Sequence, residues 1–146
     1  MGKDEAMDAG QLLVWTLRVA LAVLLIGMGI SHFVDPVRRT MRAMIPPSLR
    51  RPGFPSPAVL VALTGVCELA GGIGIVAPWQ VIGAEWMRWL VGIVLVAFLI
   101  AVFPANAYAA AHPEKFGRAA FPFWPRYVAQ LALIVLVTLA TAPGVG

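Results

Sequence analysis

The sequence predicts an all-α fold, an integral membrane four-helix bundle, from its composition and from the spacing of its apolar runs. Hydrophobic residues make up 60% of the 146 residues and charged residues only 12%, about half the charged share of a soluble domain. Four runs approach the roughly 20 apolar residues that a helix needs to cross a hydrocarbon core. They lack the alternation of strands, and a helix satisfies its own backbone hydrogen bonds in lipid. The prediction is one membrane domain, residues 1–146, with spans at Gln11 to Val34, Ala58 to Ala77, Glu85 to Phe103 and Arg126 to Ala142.

Basic residues lie mainly in the first and third connections between these spans. The first connection carries Arg38, Arg39, Arg42, Arg50 and Arg51, and the third carries Lys115 and Arg118, with Arg126 at its end. Basic loops stay on the cytoplasmic side, so we expect a multi-pass plasma (inner) membrane protein with loops 35–57 and 104–125 in the cytoplasm and both termini outside. The net charge of +4 is then a topology signal. No nucleic-acid partner is expected, because these arginines border lipid and lack interleaved aromatic residues.

The first connection predicts a short amphipathic helix on the inner membrane surface. Asp35 and Pro36 suit an N-cap and a first helical turn, and the helix should extend through Ile45. Its apolar positions are Val37, Met41, Met44 and Ile45, and its basic positions are Arg38, Arg39 and Arg42. Such a helix lies in the interface with its basic face toward anionic headgroups. It is either an interfacial anchor or a lid or docking surface.

Two opposite charges fall inside predicted spans. Counted from the outer end at 1.5 Å per residue, Glu68 lies about 13 Å deep on the second span and Arg18 about 9 Å deep on the first. A charge near the bilayer centre costs from about 2.5 to 17 kcal/mol, so we expect the two residues to form a bidentate ion pair. The alternatives are that Arg18 extends to the outer surface or that Glu68 is protonated.

Further polar residues gather toward the cytoplasmic half. His32 is near the inner end of the first span, Asn106 follows Pro104, which should end the third helix, and Gln130 begins the fourth. With Thr64 they predict a polar path that leads to the charge pair, and buried ionisable groups in lipid mark candidate sites. The ligand-binding or proton-handling candidates are Arg18, His32, Thr64, Glu68, Asn106 and Gln130, without an assigned catalytic role.

No metal site is predicted, because the chain has one cysteine and two histidines in separate segments. His112, in the third connection, is interpreted as part of a solvated turn. Cys67 is expected to be a small packing residue in the second span, since an apolar environment disfavours the reactive thiolate.

Several short motifs resemble those of the DoxX and DoxX-like family of small four-helix membrane proteins. They are an arginine in the first span, GISHFVDP at its end, IPP in the basic loop, TGVCELAGGIG in the second span and FPANAY after the third. The resemblance covers about Leu12 to Val137. It implies that Arg18 and Glu68 are the family's intramembrane charges and that His32, Pro36, Pro46, Pro104 and Asn106 match the DoxX-like branch. Family members belong to membrane-bound redox complexes, among them the membrane subunit of a thiosulfate:quinone oxidoreductase, and a related branch contains receptor-assembly chaperones.

Three functions are consistent with these features. The first is an accessory subunit of a membrane redox system that binds a quinone-type or other apolar ligand between its helices, without a complete catalytic site of its own. The second is a non-catalytic membrane scaffold or assembly factor, and the third is a proton or small-solute conduit. The expected partners are the lipid bilayer with either subunits of a membrane complex or further copies of the chain. A quinone is the cofactor that the first function would require.

Overall fold

The structure, a computed structural model, describes residues 8–144 as an all-helical chain without strands. The helices are α1 (Ala9–Ser31), α2 (Val37–Met44), α3 (Pro57–Val76), α4 (Trp86–Ala110), α5 (Pro113–Phe116) and α6 (Phe123–Thr141), with 3₁₀ turns at Pro47–Leu49 and Gly117–Ala119. Helices α1, α3, α4 and α6 are long and apolar enough to cross a membrane. The predicted all-α class and the four candidate spans are therefore confirmed. The first seven and last two residues of the predicted domain lie outside the described range.

Local hydrogen bonds define where α1 and α3 begin. Asp8 Oδ1 accepts the Gln11 N–H at 2.8 Å, and Gln11 Oε1 accepts the Asp8 N–H at 3.2 Å. This reciprocal pair satisfies two donors at the start of α1. Ser56 Oγ accepts the Val59 N–H at the start of α3. These side chains satisfy backbone donors at helix starts that lack partners within the helix.

The third predicted span ends too early, because α4 continues through Pro104 to Ala110. Proline lacks the N–H that would bond to the Ile100 carbonyl, and in water such a position usually breaks a helix. Membrane-spanning helices tolerate such a proline, because neighbouring helices can satisfy the released groups, and α4 is long and apolar enough to be one of them. The nearby Leu99 carbonyl accepts a hydrogen bond from Gln130 Nε2 on α6 at 2.6 Å. Asn106 is consequently a helical residue rather than the first residue of a loop.

The short helix in the first connection exists, but Asp35 does not cap it. Helix α2 has Pro36 at its N-cap and no side-chain capping bond. The Asp35 carboxylate is instead 3.2 Å from Arg38 Nη2 and 3.6 Å from Arg39 Nε. At the other end, Arg50 donates to the carbonyls of Arg42, Ala43 and Ile45. Arginine therefore satisfies the carbonyl groups that a helix leaves free at its C-terminus.

Glycines bring α1 and α3 into close antiparallel contact. A Cβ atom on Gly29 would lie 2.9 Å from the Gly65 carbonyl oxygen, and one on Gly72 would lie 3.1 Å from the Ala22 carbonyl oxygen. Helices can approach this closely only where small residues face each other. These two contacts define the register between α1 and α3.

Helices α1 and α3 form one packed pair, and α4 and α6 form another. The two pairs meet near the amino-terminal part of α1, where Gly71 is adjacent to Leu95 and Gly74 to Val91. The buried core at this junction consists of Leu21, Leu25, Ile75, Leu95, Leu99, Val137 and Ala140. On the side of α2 a cavity separates the two pairs.

Candidate functional site in the cavity beside α2

The cavity has a volume of about 630 Å³ and is lined by residues of α1, α2, α3, α4 and α6. Its walls are mainly leucine, methionine, valine and alanine side chains. The polar residues that line it include His32, Thr64, Glu68, Asn106, Arg126 and Gln130. Cavities of this size and composition, with a few polar groups, are typical of small-molecule sites. The structure thus brings five of the six predicted site residues together, and Arg18 is the exception.

His32 and Glu68 form a close buried pair at the α1–α3 side of the cavity. His32 Nε2 lies 3.2 Å from Glu68 Oε2, and each residue is only 6% exposed. His32 Nδ1 lies 3.1 Å from the Val61 carbonyl oxygen. The distance to Glu68 is that of an ion pair, but Oε2 has no hydrogen bond of good geometry among the described residues. The short distance still allows electrostatic attraction between the two groups, because Coulomb attraction depends far less on angle than a hydrogen bond does.

The Val61 carbonyl determines which imidazole nitrogen carries hydrogen. A carbonyl oxygen can only accept, so Nδ1 must be the protonated nitrogen. The Nε2 atom and the carboxylate oxygen would then place two lone pairs 3.2 Å apart, unless a proton resides on one of them. A proton placed between Nε2 and Oε2 would therefore join the two side chains. Such a pair can exchange a proton with an oxygen atom of a molecule in the cavity.

The predicted pairing of Arg18 with Glu68 is wrong. The glycine contacts between α1 and α3 place Arg18 level with Val76, eight residues and about 12 Å from Glu68 along the helix axis. Helical side chains also lean toward the amino terminus of their own helix. In this antiparallel arrangement His32 and Glu68 lean toward each other, whereas Arg18 and Glu68 lean apart. The prediction used only the depth of each residue along its own span. That depth gives neither the register between α1 and α3 nor the direction in which the side chains lean.

Arg18 occupies a different part of the molecule. It is fully buried, its Nε donates to the Ala140 carbonyl at 2.9 Å, and its guanidinium lies 5.2 Å from the centre of the Trp15 ring. A charged hydrogen bond and a cation–π contact both stabilise a buried guanidinium. Arg18 therefore links α1 to α6 at the junction of the two helix pairs, away from the cavity.

A second polar cluster lies at the α4–α6 side of the cavity. Arg126 Nη1 donates to Asn106 Oδ1 at 2.6 Å, and Arg126 Nη2 donates to the Ala119 carbonyl at 2.9 Å. Gln130, one helical turn after Arg126, also lines the cavity. From the sequence, Arg126 predicted only the orientation of the chain in the membrane. Its position four residues before Gln130 was the signal that both side chains share one face of α6.

Thr64 and Cys67 complete the polar contribution of α3. Thr64 Oγ1 donates to the Leu60 carbonyl at 2.8 Å, so the hydroxyl oxygen can still accept a hydrogen bond. Cys67 is exposed and lines the cavity. The prediction that Cys67 is a packing residue is wrong, because its side chain is exposed and lines the cavity.

Within residues 8–144, no group of three or more His, Cys, Asp or Glu residues could hold a metal ion. His112 Nδ1 lies 2.8 Å from the Tyr108 carbonyl oxygen, and its ring lies against the Tyr108 ring. Local contacts thus account for the position of His112.

Fold and site together define a helical protein with four candidate membrane spans and a mostly apolar cavity between its helices that carries a His–Glu pair. The chain belongs to the family described as Domain of unknown function (DUF8561), whose model matches residues 21–141. No curated protein and no solved structure matches the chain. The matched range contains all the polar cavity residues and begins after Arg18. The resemblance to DoxX-like proteins stays a prediction.

Proposed function

We propose that the protein binds an apolar molecule with a polar, quinone-type head group in its cavity and serves as an accessory subunit of a membrane redox system. The observation that carries this proposal is the His32–Glu68 pair, 3.2 Å apart and buried in the wall of a cavity of about 630 Å³. An ionisable pair is costly inside lipid. Its position in the wall of a cavity supports a role in binding a molecule there and in exchanging a proton with it.

The proposed chemistry is proton transfer to a head-group oxygen. When a quinone takes up electrons, its oxygens become basic and must also take up protons. The His32–Glu68 pair would donate its proton to the oxygen nearest to it and regain one from the cytoplasmic side. The electrons would come from a redox subunit that associates with this protein in the membrane. The role of this chain is then to hold the head group and to supply the proton.

We further propose that the four long helices cross the plasma (inner) membrane as a bundle, with the cavity in its cytoplasmic half. Loops 35–57 and 104–125 would face the cytoplasm and the termini the outside, as the basic residues predict. Helix α2 would lie at the inner surface. This placement is supported by Arg39, whose side chain is 76% exposed, and by Val37, Met41 and Met44, which line the cavity. A helix with one basic and one apolar face is suited to a membrane surface.

The test is mass spectrometry of gently solubilised protein under native conditions, with a lipid extract of the same sample analysed for quinones. The wild-type protein should retain a quinone or bind added decylubiquinone with a stoichiometry of about one, as one cavity allows. Glu68→Gln should weaken this binding about tenfold, because it removes a charged hydrogen-bond partner.

Glu114→Gln is the matched control, because Glu114 is exposed and lies outside the cavity. This variant should bind the quinone as the wild type does. Equal affinity in wild type and Glu68→Gln would contradict the role of the pair. A stoichiometric protein partner without any bound small molecule would instead support a scaffold or assembly factor.

A further inference from the structure

The polar cluster at the α4–α6 side of the cavity is not used in the proposed proton transfer. Both groups that accept hydrogen bonds from Arg126, the Asn106 amide and the Ala119 carbonyl, are neutral. None of the ion pairs within residues 8–144 includes Arg126. In the described part of the chain, Arg126 Nε also has no hydrogen-bond partner. Arg126 is partly buried in the cavity wall, so its charge is partly removed from water without an ion-pair partner among the described residues. Such a charge is costly.

The hydrogen bonds within this cluster determine which side-chain amide atoms of Asn106 and Gln130 remain available to a ligand. Asn106 must turn Oδ1 toward the Arg126 donor, so its Nδ2 group is left over. Gln130 uses Nε2 to donate to the Leu99 carbonyl, so its Oε1 is left over. The cluster therefore offers the remaining N–H groups of Arg126, Asn106 and Gln130 as donors, and these outnumber its remaining acceptors, Gln130 Oε1 and the second lone pair of Asn106 Oδ1. Positive charge with an excess of donors is the chemistry that recognises carboxylates and phosphates.

We propose that Asn106, Arg126 and Gln130 form an anion subsite that binds the acidic head group of an amphiphile, a carboxylate or phosphate on an apolar chain. This inference rests on the proposed function, since it places the ligand in the same cavity, and it adds an acidic group to the features that the cavity recognises. The two polar clusters would contact two parts of one molecule. An oxygen atom would lie at the His32–Glu68 pair and an acidic group at Arg126.

The register of α3 and α4 places Cys67 where its reactivity can report whether the cavity is occupied by a ligand. Gly71 is adjacent to Leu95 and Gly74 to Val91, so antiparallel counting places Asn106 level with Leu60. Cys67 is seven residues further, about 10 Å along the axis. A twelve-carbon chain with its head group at Arg126 is long enough to cover the thiol. Cys67 is the single cysteine of the chain, so its modification can be followed by mass alone.

The experiment compares dodecanoate with dodecanol in nanodiscs of phosphatidylcholine, at a pH where the free acid is ionised. Protection of Cys67 from methylmercury is measured against the concentration of each probe. In the wild type, half-protection should require about tenfold less dodecanoate than dodecanol, the preference expected for one charged hydrogen-bonded pair. Arg126→Gln should abolish this preference. Arg118→Gln, a neighbouring arginine outside the cavity lining, should leave it unchanged.

Further variants separate failure of the subsite from failure of the proposed function or of folding. Arg126→Lys keeps the positive charge but replaces the planar guanidinium, which can donate two parallel hydrogen bonds, by an ammonium group. This variant should keep a reduced preference for dodecanoate over dodecanol. Glu68→Gln should leave the preference intact. Equal protection by acid and alcohol in the wild type would overturn the anion subsite and leave quinone binding unaffected. Loss of quinone binding in Glu68→Gln alongside an intact acid preference is the expected pattern for two separate subsites.

A final version of the experiment determines whether the bound anion belongs to a membrane phospholipid or to a free acidic amphiphile. Phosphatidylglycerol is added to the nanodiscs in place of dodecanoate. Protection of Cys67 by this lipid in the wild type but not in Arg126→Gln would support the subsite and assign it to a phospholipid. Protection by dodecanoate alone would support it with a free acidic amphiphile as ligand. Protection by either anion that persists undiminished in Arg126→Gln would overturn the proposal.

Discussion

His32 Nε2 lies 3.2 Å from Glu68 Oε2, and this contact joins the carboxyl-terminal end of α1 to the middle of α3. The pair exists because the two helices are antiparallel and close-packed, so that both side chains lean toward the same level. The Val61 carbonyl orients the imidazole. The geometry of the candidate site therefore depends on the α1–α3 contact as much as on the two ionisable residues.

The first prediction concerns the energetic coupling of the pair. The free energies of unfolding of His32→Ala, Glu68→Gln and the double variant should show a coupling of about 1 kcal/mol, since residues in direct contact are not additive. The same cycle with Arg18→Gln and Glu68→Gln should be additive to within about 0.5 kcal/mol, because these residues lie on different levels. Denaturant titration in detergent micelles measures both cycles. A larger coupling for Arg18 than for His32 would contradict the structure.

The second prediction concerns the close helix contact. A Cβ atom on Gly65 would lie 2.8 Å from His32 Cβ and 3.0 Å from the Gly29 carbonyl oxygen. Gly65→Ala should therefore force α1 and α3 apart and lower the free energy of unfolding by about 1–3 kcal/mol. Gly27→Ala is the control, since no atom lies within 4 Å of the added carbon, and its effect should stay below about 1 kcal/mol. Equal effects of the two substitutions would show that Gly65 is not at a tight contact.

The third prediction concerns the end of α2. Arg50 Nε and Nη2 donate to the Ile45 and Ala43 carbonyls at 2.9 Å each. Arg50→Gln should speed amide hydrogen exchange in α2 about tenfold, because loss of a charged hydrogen bond costs roughly 1.5–3 kcal/mol. Arg51→Gln changes an exposed neighbour and should leave the exchange rate unchanged. Similar exchange in both variants would mean that Arg50 does not hold the helix end.

The fourth prediction concerns orientation. Gly53 and Gly83 lie in the connections that precede α3 and α4, have positive φ, and have no atom within 4 Å of an added Cβ. Reporter domains inserted there should be tolerated. Alkaline phosphatase, which requires export, should be inactive at position 53 and active at position 83, because the connection around residue 53 is the arginine-rich one. The reverse pattern would invert the proposed topology and place the cavity near the outer surface.

Hydropathy and spacing were sufficient to predict the four long helices, apart from the end of α4. Apolar runs of the right length indicate a span, and capping residues such as Asp8 and Ser56 place the observed ends within a few residues of the predicted ones. Pro104 was misleading, since the rule that proline ends helices comes from chains in water. In lipid an interrupted helix would leave more backbone groups unpaired.

The partner of Glu68 could not be derived from the sequence, although the cavity residues could. His32, Thr64, Asn106 and Gln130 were found because polar side chains are rare within and beside apolar spans. The choice between Arg18 and His32 depends on interhelical register, which Gly29, Gly65 and Gly72 determine through contacts that no single helix contains. Arg126 was missed because a basic residue at a span end has an ordinary explanation in membrane topology.

The location of the ligand can be tested directly through Cys67, which lines the cavity beside Glu68. The rate at which methylmercury modifies this thiol is measured in the wild-type protein with and without saturating decylubiquinone. Binding in the cavity predicts a rate about tenfold lower with the quinone, since a ligand that fills a pocket excludes other molecules from most of its walls. An unchanged rate, under conditions where mass spectrometry shows the quinone bound, would place the ligand elsewhere and contradict the proposed site.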